Sequence, residues 1–287
     1  MEIAMKVGVQ IILDKKSDVA EKIKKAASLG FKSAQIVCWQ MELYTDDNAQ
    51  KIINACKEYD VTISSFWAGW SGPKVWNFVD GPSTLGIVPP DYRYQRMQEL
   101  MQGSDFAKKI GVDKVATHAG FIPECPSDPN YRPVVSAIRH LANYCKANGQ
   151  CFLFETGQET PTTLLRTIES VGTGNLGINL DTANPILYGK ANPLDALDVF
   201  GKYVMDTHIK DGFYPTNGMY LGHEARAGDG RANIPAVVVR LINEFDYNGP
   251  FTIEREISGE QQIADIIHAK ELLEDAMANA ITAQGEN

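Results

Sequence analysis

Short apolar runs alternate with longer amphipathic stretches from one end of the chain to the other. Each apolar run is continuous and rich in β-branched or aromatic residues, a composition typical of buried strands in a parallel sheet. The eight runs that we predict to be strands are 7–12, 34–39, 62–68, 114–118, 151–155, 177–181, 204–209 and 250–254.

The intervals between these runs carry apolar residues at helical spacing. Ser17 is the predicted N-cap of the first helix and Gly30 is its stop signal. Three later helices are predicted to begin near Pro161, Pro193 and Pro235, because proline is favourable in a first helical turn. The first helix covers about 17–30, and the remaining predicted helices cover about 46–59, 90–110, 131–148 and 258–280.

The order of these elements indicates the fold. Strict alternation of strands and helices implies a parallel sheet, and eight units in 287 residues fit an α/β protein with a closed (β/α)8 TIM barrel. We therefore predict a single barrel domain over residues 1–287. A doubly wound open sheet is the alternative, but it usually carries a glycine-rich loop after an early strand, and "QIILDKKSD" has no such motif.

Composition and charge narrow the function classes. Apolar residues make up 44% of the chain and charged residues 22%, as in an ordinary globular protein. The net charge of −9 argues against a nucleic-acid binder, which needs a basic face. The five cysteines are an odd number without a CxxC spacing, so neither a disulfide framework nor a cysteine zinc site is expected.

The same features predict a cytoplasmic location. Scattered cysteines suit a reducing compartment, and the sequence "MEIAMKVGVQIILD" lacks the regions of a signal peptide. No apolar run approaches the roughly 18 residues that a membrane span needs, so no membrane partner is expected. A homo-oligomer is compatible with the sequence.

Four successive predicted strands end on residues that can bind a metal. In a TIM barrel the carboxyl ends of the strands form one rim, where the chemistry occurs. Buried carboxylates that converge there repel one another unless a cation lies between them. Oxygen and imidazole donors without thiolate favour one Mn²⁺ or Mg²⁺ ion, with Co²⁺ or Zn²⁺ also compatible. The four residues are Glu155, Asp181, His208 and Glu254.

Around these residues the sequence resembles the xylose-isomerase-like barrel superfamily, in particular the sugar phosphate isomerase/epimerase group with its ketose 3-epimerases and inosose dehydratases. The motifs that carry the resemblance are "THAG", "FETGQET", "NLDTAN", "HIKDG", "RAGDG" and "IERE". The resemblance implies that the four residues above bind one divalent metal. It also implies that Glu155 and Glu254 transfer protons and that Arg226 contacts the hydroxyls of a sugar.

One position departs from the epimerase pattern. Those enzymes have a substrate-binding histidine three residues after the metal aspartate, where this chain has Asn184. Asparagine can bond a hydroxyl but cannot titrate.

The predicted reaction is abstraction of a proton beside a metal-bound carbonyl, through an enediolate, in a sugar isomerase or epimerase. A lyase or dehydratase acting on a keto-sugar, keto-glycoside or inosose is the alternative. DNA-repair endonucleases of the superfamily bind a metal cluster with several histidines. This chain has only five histidines and is acidic, so it is not expected to be such an endonuclease.

Further residues are predicted to contact a small carbohydrate. Lys210 follows His208 at a spacing that places both on one side of a continued strand. Trp67 is a candidate wall for stacking on a sugar, with packing under a loop as the alternative. His118 is predicted to orient the substrate or Glu155, or else to bond to backbone at the rim. The long polar segment 212–233, which contains Arg226, is predicted to be a binding loop or lid.

Overall fold

The computed structural model describes residues 6–285, and their architecture is a TIM barrel with flanking helices. Eight parallel strands follow the order β10-β1-β2-β3-β4-β5-β6-β7 around the barrel. A short antiparallel hairpin, β8-β9, lies outside this sheet. The strands are β1 (Val7–Ile12), β2 (Ser33–Cys38), β3 (Thr62–Ala68), β4 (Lys114–Thr117), β5 (Cys151–Glu155), β6 (Leu176–Asp181), β7 (Val204–His208), β8 (Asp211–Phe213), β9 (His223–Ala225) and β10 (Phe251–Ile253).

The gap between β7 and β10 is bridged just beyond the end of β7. The Ile209 amide donates to the Thr252 carbonyl at 2.7 Å, and the Glu254 amide donates to the Ile209 carbonyl at 3.2 Å. These bonds bring Glu254 alongside the end of β7. The last strand of the barrel is therefore in register with the strand that carries His208.

The helices confirm most of the predicted intervals. They are α1 (Val19–Ser28), α2 (Asp46–Tyr59), α3 (Gly81–Thr84), α4 (Pro90–Lys109), α5 (Tyr131–Ala147), α6 (Pro161–Val171), α7 (Asn184–Leu187), α8 (Pro193–Phe200), α9 (Ile234–Phe245) and α10 (Glu260–Gly285). The short helices α3 and α7 were not predicted, because one turn of helix is too short to show a period. Within residues 6–285 no helix is both long enough and apolar enough to span a membrane.

The predicted binding loop 212–233 contains the β8-β9 hairpin and is anchored by Asp211. This carboxylate is buried, and it accepts hydrogen bonds from the backbone amides of Gly228, Gly230 and Ala232 at 2.9–3.0 Å. A side chain at Gly230 would place its Cβ 2.1 Å from Asp211 Oδ1, so only glycine allows this close approach. The Asp211 carboxylate thus holds residues 228–232 of the loop near the end of β7.

The first helix begins one residue later than predicted. Asp18, not Ser17, is the N-cap, and its carboxylate accepts a hydrogen bond from the Ala20 amide at 2.9 Å. The Ser17 amide instead donates to Asp14, which places Ser17 in the turn before the helix. Ser and Asp are comparable N-cap residues, so the sequence pattern alone does not separate two adjacent candidates.

We expect Asp18→Ala to lower the free energy of unfolding by about 1 kcal/mol, because the cap hydrogen bond is lost. Ser17→Ala is the matched control and should change stability by less than about 0.5 kcal/mol. Urea denaturation of both variants measures the difference. An equal effect of the two substitutions would contradict the assigned cap.

Candidate metal centre and active site

The ends of four neighbouring strands bring three carboxylates and one imidazole together, at β5, β6, β7 and just after β10. One donor atom from each of the four side chains lies within 4.8 Å of the others. His208 Nδ1 is central, at 2.9 Å from Glu155 Oε1 and 3.1 Å from Glu254 Oε2. The four residues predicted from strand ends, Glu155, Asp181, His208 and Glu254, are therefore one cluster.

Asp181 fits a cation because its two oxygens differ. Oδ1 accepts hydrogen bonds from the backbone amides of Ala183 and Asn184, both at 2.7 Å. Oδ2 is buried and accepts no hydrogen bond among the described residues, and its nearest cationic neighbour is Lys210 Nζ at 3.4 Å. A buried oxygen without a donor costs free energy unless something else satisfies it. A divalent ion beside the other three donors would satisfy it, and the oxygen-rich set fits Mg²⁺ or Mn²⁺.

The pKa values show how crowded the acids are. Burial raises the pKa of Asp181 to about 7, since Lys210 offsets only part of the effect and Glu254 adds to it. Burial also opposes ionisation of Glu155, but His118 and His208 outweigh it and the pKa falls below its usual value. The pKa of Glu254 lies well below its usual value because Lys210 and His208 outweigh its burial.

Lys210 is the cation of the protein that faces this cluster. Its side chain is almost fully buried, and Nζ lies 2.7 Å from Glu256, 3.3 Å from Glu254 and 3.4 Å from Asp181. Burial acts to lower the pKa of Lys210, but the acids around it raise the pKa well above its usual value. The inward direction of Lys210 agrees with the alternation expected from the sequence.

A cavity of about 330 Å³ opens directly above Glu155 and Glu254. Four aromatic residues contribute to its wall: Trp39 and Trp67, whose ring centroids lie 4.7 Å apart, together with Trp76 and Tyr188. Trp67 also donates a hydrogen bond from Nε1 to Glu155 Oε2. The lining thus combines flat aromatic faces with carboxylates.

His118 and Asn184 both line the cavity beside Glu155. His118 Nε2 lies 3.3 Å from Glu155 Oε2, whereas its Nδ1 is buried without a partner in the described part of the chain. Burial lowers the pKa of His118. Asn184 Nδ2 lies 3.5 Å from Glu155 Oε1. The structure therefore brings His118, Asn184, Lys210 and Trp67 to the site.

Arg226 is the one predicted site residue that the structure places elsewhere. Its guanidinium pairs with Asp229, with Nε at 2.9 Å from Oδ2, and 45% of its side chain is exposed. It is absent from the cavity wall, where among residues 6–285 no arginine is found. The position of Arg226 depends on how the whole loop 212–233 folds. The "RAGDG" motif alone does not predict the fold of that loop.

Three residues at the site were not assigned a definite role from the sequence. Gln10 on β1 donates to Glu254 Oε1 at 2.9 Å. Trp39 directly follows β2 and contacts Trp67 with tilted rings, and Glu256 accepts a hydrogen bond from Lys210. The signal for Trp39 and Glu256 was available, because both lie at strand ends facing the rim and Glu256 is two residues after Glu254.

Comparison with known proteins agrees with this geometry. A family model described as a xylose isomerase-like TIM barrel matches residues 23–278. The chain belongs to this family. A xylose isomerase domain protein from Planctomyces limnophilus is 32% identical, with a TM-score of 0.89, and the match covers 97% of this chain and 99% of that one. No curated protein matches the chain.

More distant family structures share the fold alone. An L-ribulose 3-epimerase is 17% identical with a TM-score of 0.73, and the match covers 98% of this chain and 97% of that one. A xylose isomerase-like TIM barrel protein from Mycobacterium smegmatis, solved in complex with magnesium, is 18% identical with a TM-score of 0.71, and the match covers 96% and 98%.

We expect metal binding to weaken as the pH falls. Burial acts against the imidazolium form of His208, but Glu254 and Glu155 raise its pKa well above the usual value, so a metal ion must displace a proton from Nδ1. Each unit of pH should therefore change the Mn²⁺ affinity about tenfold, and more steeply below about pH 7, where Asp181 also protonates.

Calorimetry in two buffers of different ionisation enthalpy counts the protons released per Mn²⁺ ion. The exposed His140 provides the control, since His140→Gln should leave the count unchanged. A binding constant independent of pH, with no proton released, would contradict His208 as a ligand.

Proposed function

We propose that this protein is a divalent-metal-dependent carbohydrate isomerase or epimerase, which moves a proton at a carbon beside a carbonyl group. One observation carries the proposal: Glu155 and Glu254 belong to the four-residue donor cluster and also line the cavity. Two carboxylates that hold a metal and face the substrate are suitably placed to accept and return a proton.

The family supports this assignment. Of two proteins with a similar fold, one is an L-ribulose 3-epimerase and the other was solved in complex with magnesium. Glu155, Asp181, His208 and Glu254 would hold the ion in this chain. When bound, such an ion supplies Lewis-acid polarisation of a carbonyl oxygen and makes the neighbouring C–H bond more acidic.

The two glutamates divide their oxygens between two tasks. Glu155 Oε1 and Glu254 Oε2 face His208 in the donor cluster. The other oxygens, Oε2 of Glu155 and Oε1 of Glu254, accept hydrogen bonds from Trp67 and Gln10. These donors hold each carboxylate in orientation, and the oxygen outside the cluster is the one that takes the proton from the substrate carbon.

The charges of the cavity favour an uncharged substrate. The acids that line it are Glu155, Glu254 and Glu256, and Lys210, which faces these acids, already contacts three carboxylates. Among residues 6–285, no lysine or arginine lines the cavity to receive a phosphate or carboxylate group. Aromatic walls instead suit the C–H faces of a neutral sugar.

Elimination remains the second candidate because of Asn184. This residue lines the cavity where an epimerase would have histidine, and it lies beside Glu155. Abstraction of the same proton followed by loss of a β-oxygen would make the protein a lyase or dehydratase for a keto-sugar or keto-glycoside. Both reactions begin with Glu155 or Glu254 as base, so the products must decide between them.

Incubation with uncharged 2-ketoses such as L-ribulose in D₂O, with Mn²⁺ present, tests the proposal. We expect deuterium at one carbon of an epimerised or isomerised sugar, detected by NMR, and no turnover of the corresponding sugar phosphates. Loss of water or aglycone with an ultraviolet-absorbing enone would establish the lyase. Turnover of phosphorylated ketoses alone would contradict the neutral substrate class.

In the same assay, Glu155→Gln and Glu254→Gln should each lower kcat at least about 100-fold, because a general acid–base group contributes 10²–10⁴-fold. Metal content is measured for each variant, so that a lost ion is distinguished from a lost base. Glu58→Gln, on the exposed face of α2, is the control. Full turnover by both active-site variants would exclude them as proton carriers.

A further inference from the structure

A buried polar network lies in the barrel interior behind His208. Gln35 on β2 accepts a hydrogen bond from His208 Nε2 through its side-chain oxygen. The amide nitrogen of Gln35 lies 2.7 Å from Ser65 Oγ, 3.2 Å from Asn179 Oδ1 and 3.4 Å from Asp206 Oδ2. Because β2 and β7 are not neighbours in the sheet, these contacts cross the inside of the barrel.

Asp206 fixes the direction of every bond in this network. Its carboxylate accepts hydrogen bonds from the Ser65 hydroxyl at 2.6 Å and from the Thr207 amide at 2.8 Å. Since a carboxylate only accepts, the NH₂ group of Gln35 must turn toward Asp206 and Ser65. The oxygen of Gln35 is then left facing His208, and an oxygen requires a proton on His208 Nε2.

Two irregularities of the sheet build this arrangement. The register between β2 and β3 shifts at Gln35, where β3 carries an extra residue next to Ser65. The register between β6 and β7 shifts at Asp206, which follows the extra residue Met205. A β-bulge redirects side chains, and bulges are frequent beside active sites. Here both bulges supply the partners of Gln35.

We propose that Gln35 and Asp206 are positioning residues that hold His208 with its proton on Nε2, so that Nδ1 is presented to the metal. Neither touches the substrate cavity. The inference rests on the proposed metal centre for its functional consequence, but the state of the His208 ring can be measured without it. Partners of this kind usually change metal affinity 10- to 100-fold when removed.

Gln35→Met tests the assignment, because it keeps the length of the side chain and removes the acceptor. We expect the Kd for Mn²⁺ to rise about 10- to 100-fold in calorimetric titration of the chelator-treated protein. We also expect loss of the slowly exchanging Nε2–H resonance of His208 in the NMR spectrum of the metal-free protein, a signal assigned by its absence in His208→Gln.

A rescue separates this role from simple packing. Gln35→Glu alone places two carboxylates next to each other and should weaken Mn²⁺ binding. Combined with Asp206→Asn, the new carboxylate accepts from both His208 and the new amide, and most of the lost affinity should return. Gln150→Met is the matched control, since Gln150 is a buried glutamine bonded to Ser104 and Val112 outside the network.

Each outcome is decisive. Unchanged Mn²⁺ affinity together with a retained Nε2–H signal in Gln35→Met would overturn the assignment, as would equal losses in Gln150→Met or a folded double variant without rescue. If the wild-type chain does not bind Mn²⁺, the metal centre itself fails, while the Nε2–H signal still decides the role of Gln35.

Discussion

Repulsion between three buried carboxylates is the constraint on which the site depends. Glu155, Asp181 and Glu254 come from different strands and present donor atoms within 4.8 Å of one another. Such a group is unfavourable inside a protein unless positive charge lies among its members. His208 and Lys210 supply part of that charge, and two backbone amides stabilise one oxygen of Asp181. A divalent ion, as in the proposed function, would complete the charge balance.

The interior of the barrel is organised around the same need. An apolar interior would fill the space between the strands, but it would leave His208 free to rotate and to carry its proton on either nitrogen. Gln35, Ser65 and Asp206 are buried and polar, and they are joined by hydrogen bonds inside the barrel. Gln35 connects this group to His208. Gln10 and Trp67 likewise donate hydrogen bonds to Glu254 and Glu155. Each glutamate is therefore held in place by a residue outside the cluster.

The sequence was sufficient for the barrel and for the four-residue cluster, because both follow from local order. Parallel strands place their carboxyl ends at one rim, so a polar residue ending an apolar run, such as Glu155, is located without knowing any long-range contact. Strand-end reasoning did not apply to Arg226, which was assigned from the family resemblance and which the structure places outside the cavity lining, because its position depends on how Asp211 and the β8-β9 hairpin fold the loop. The role of Gln35 was not predicted, for a different reason. It lies within a strand, and its contact with Asp206 depends on bulges in other strands that the sequence does not reveal.

The charge balance also bears on what the site can accept. The three carboxylates of the cluster, Lys210 and a divalent ion sum to zero, with His208 neutral as a ligand. Glu256 then makes the mouth of the cavity weakly negative, and it already pairs with Lys210 at 2.7 Å. An anionic sugar would have to break that pair or face Glu256 directly. A neutral sugar would disturb neither, and it would lie against the aromatic wall of the cavity. In the proposed function, discrimination against charged substrates would follow from the way the carboxylates are neutralised.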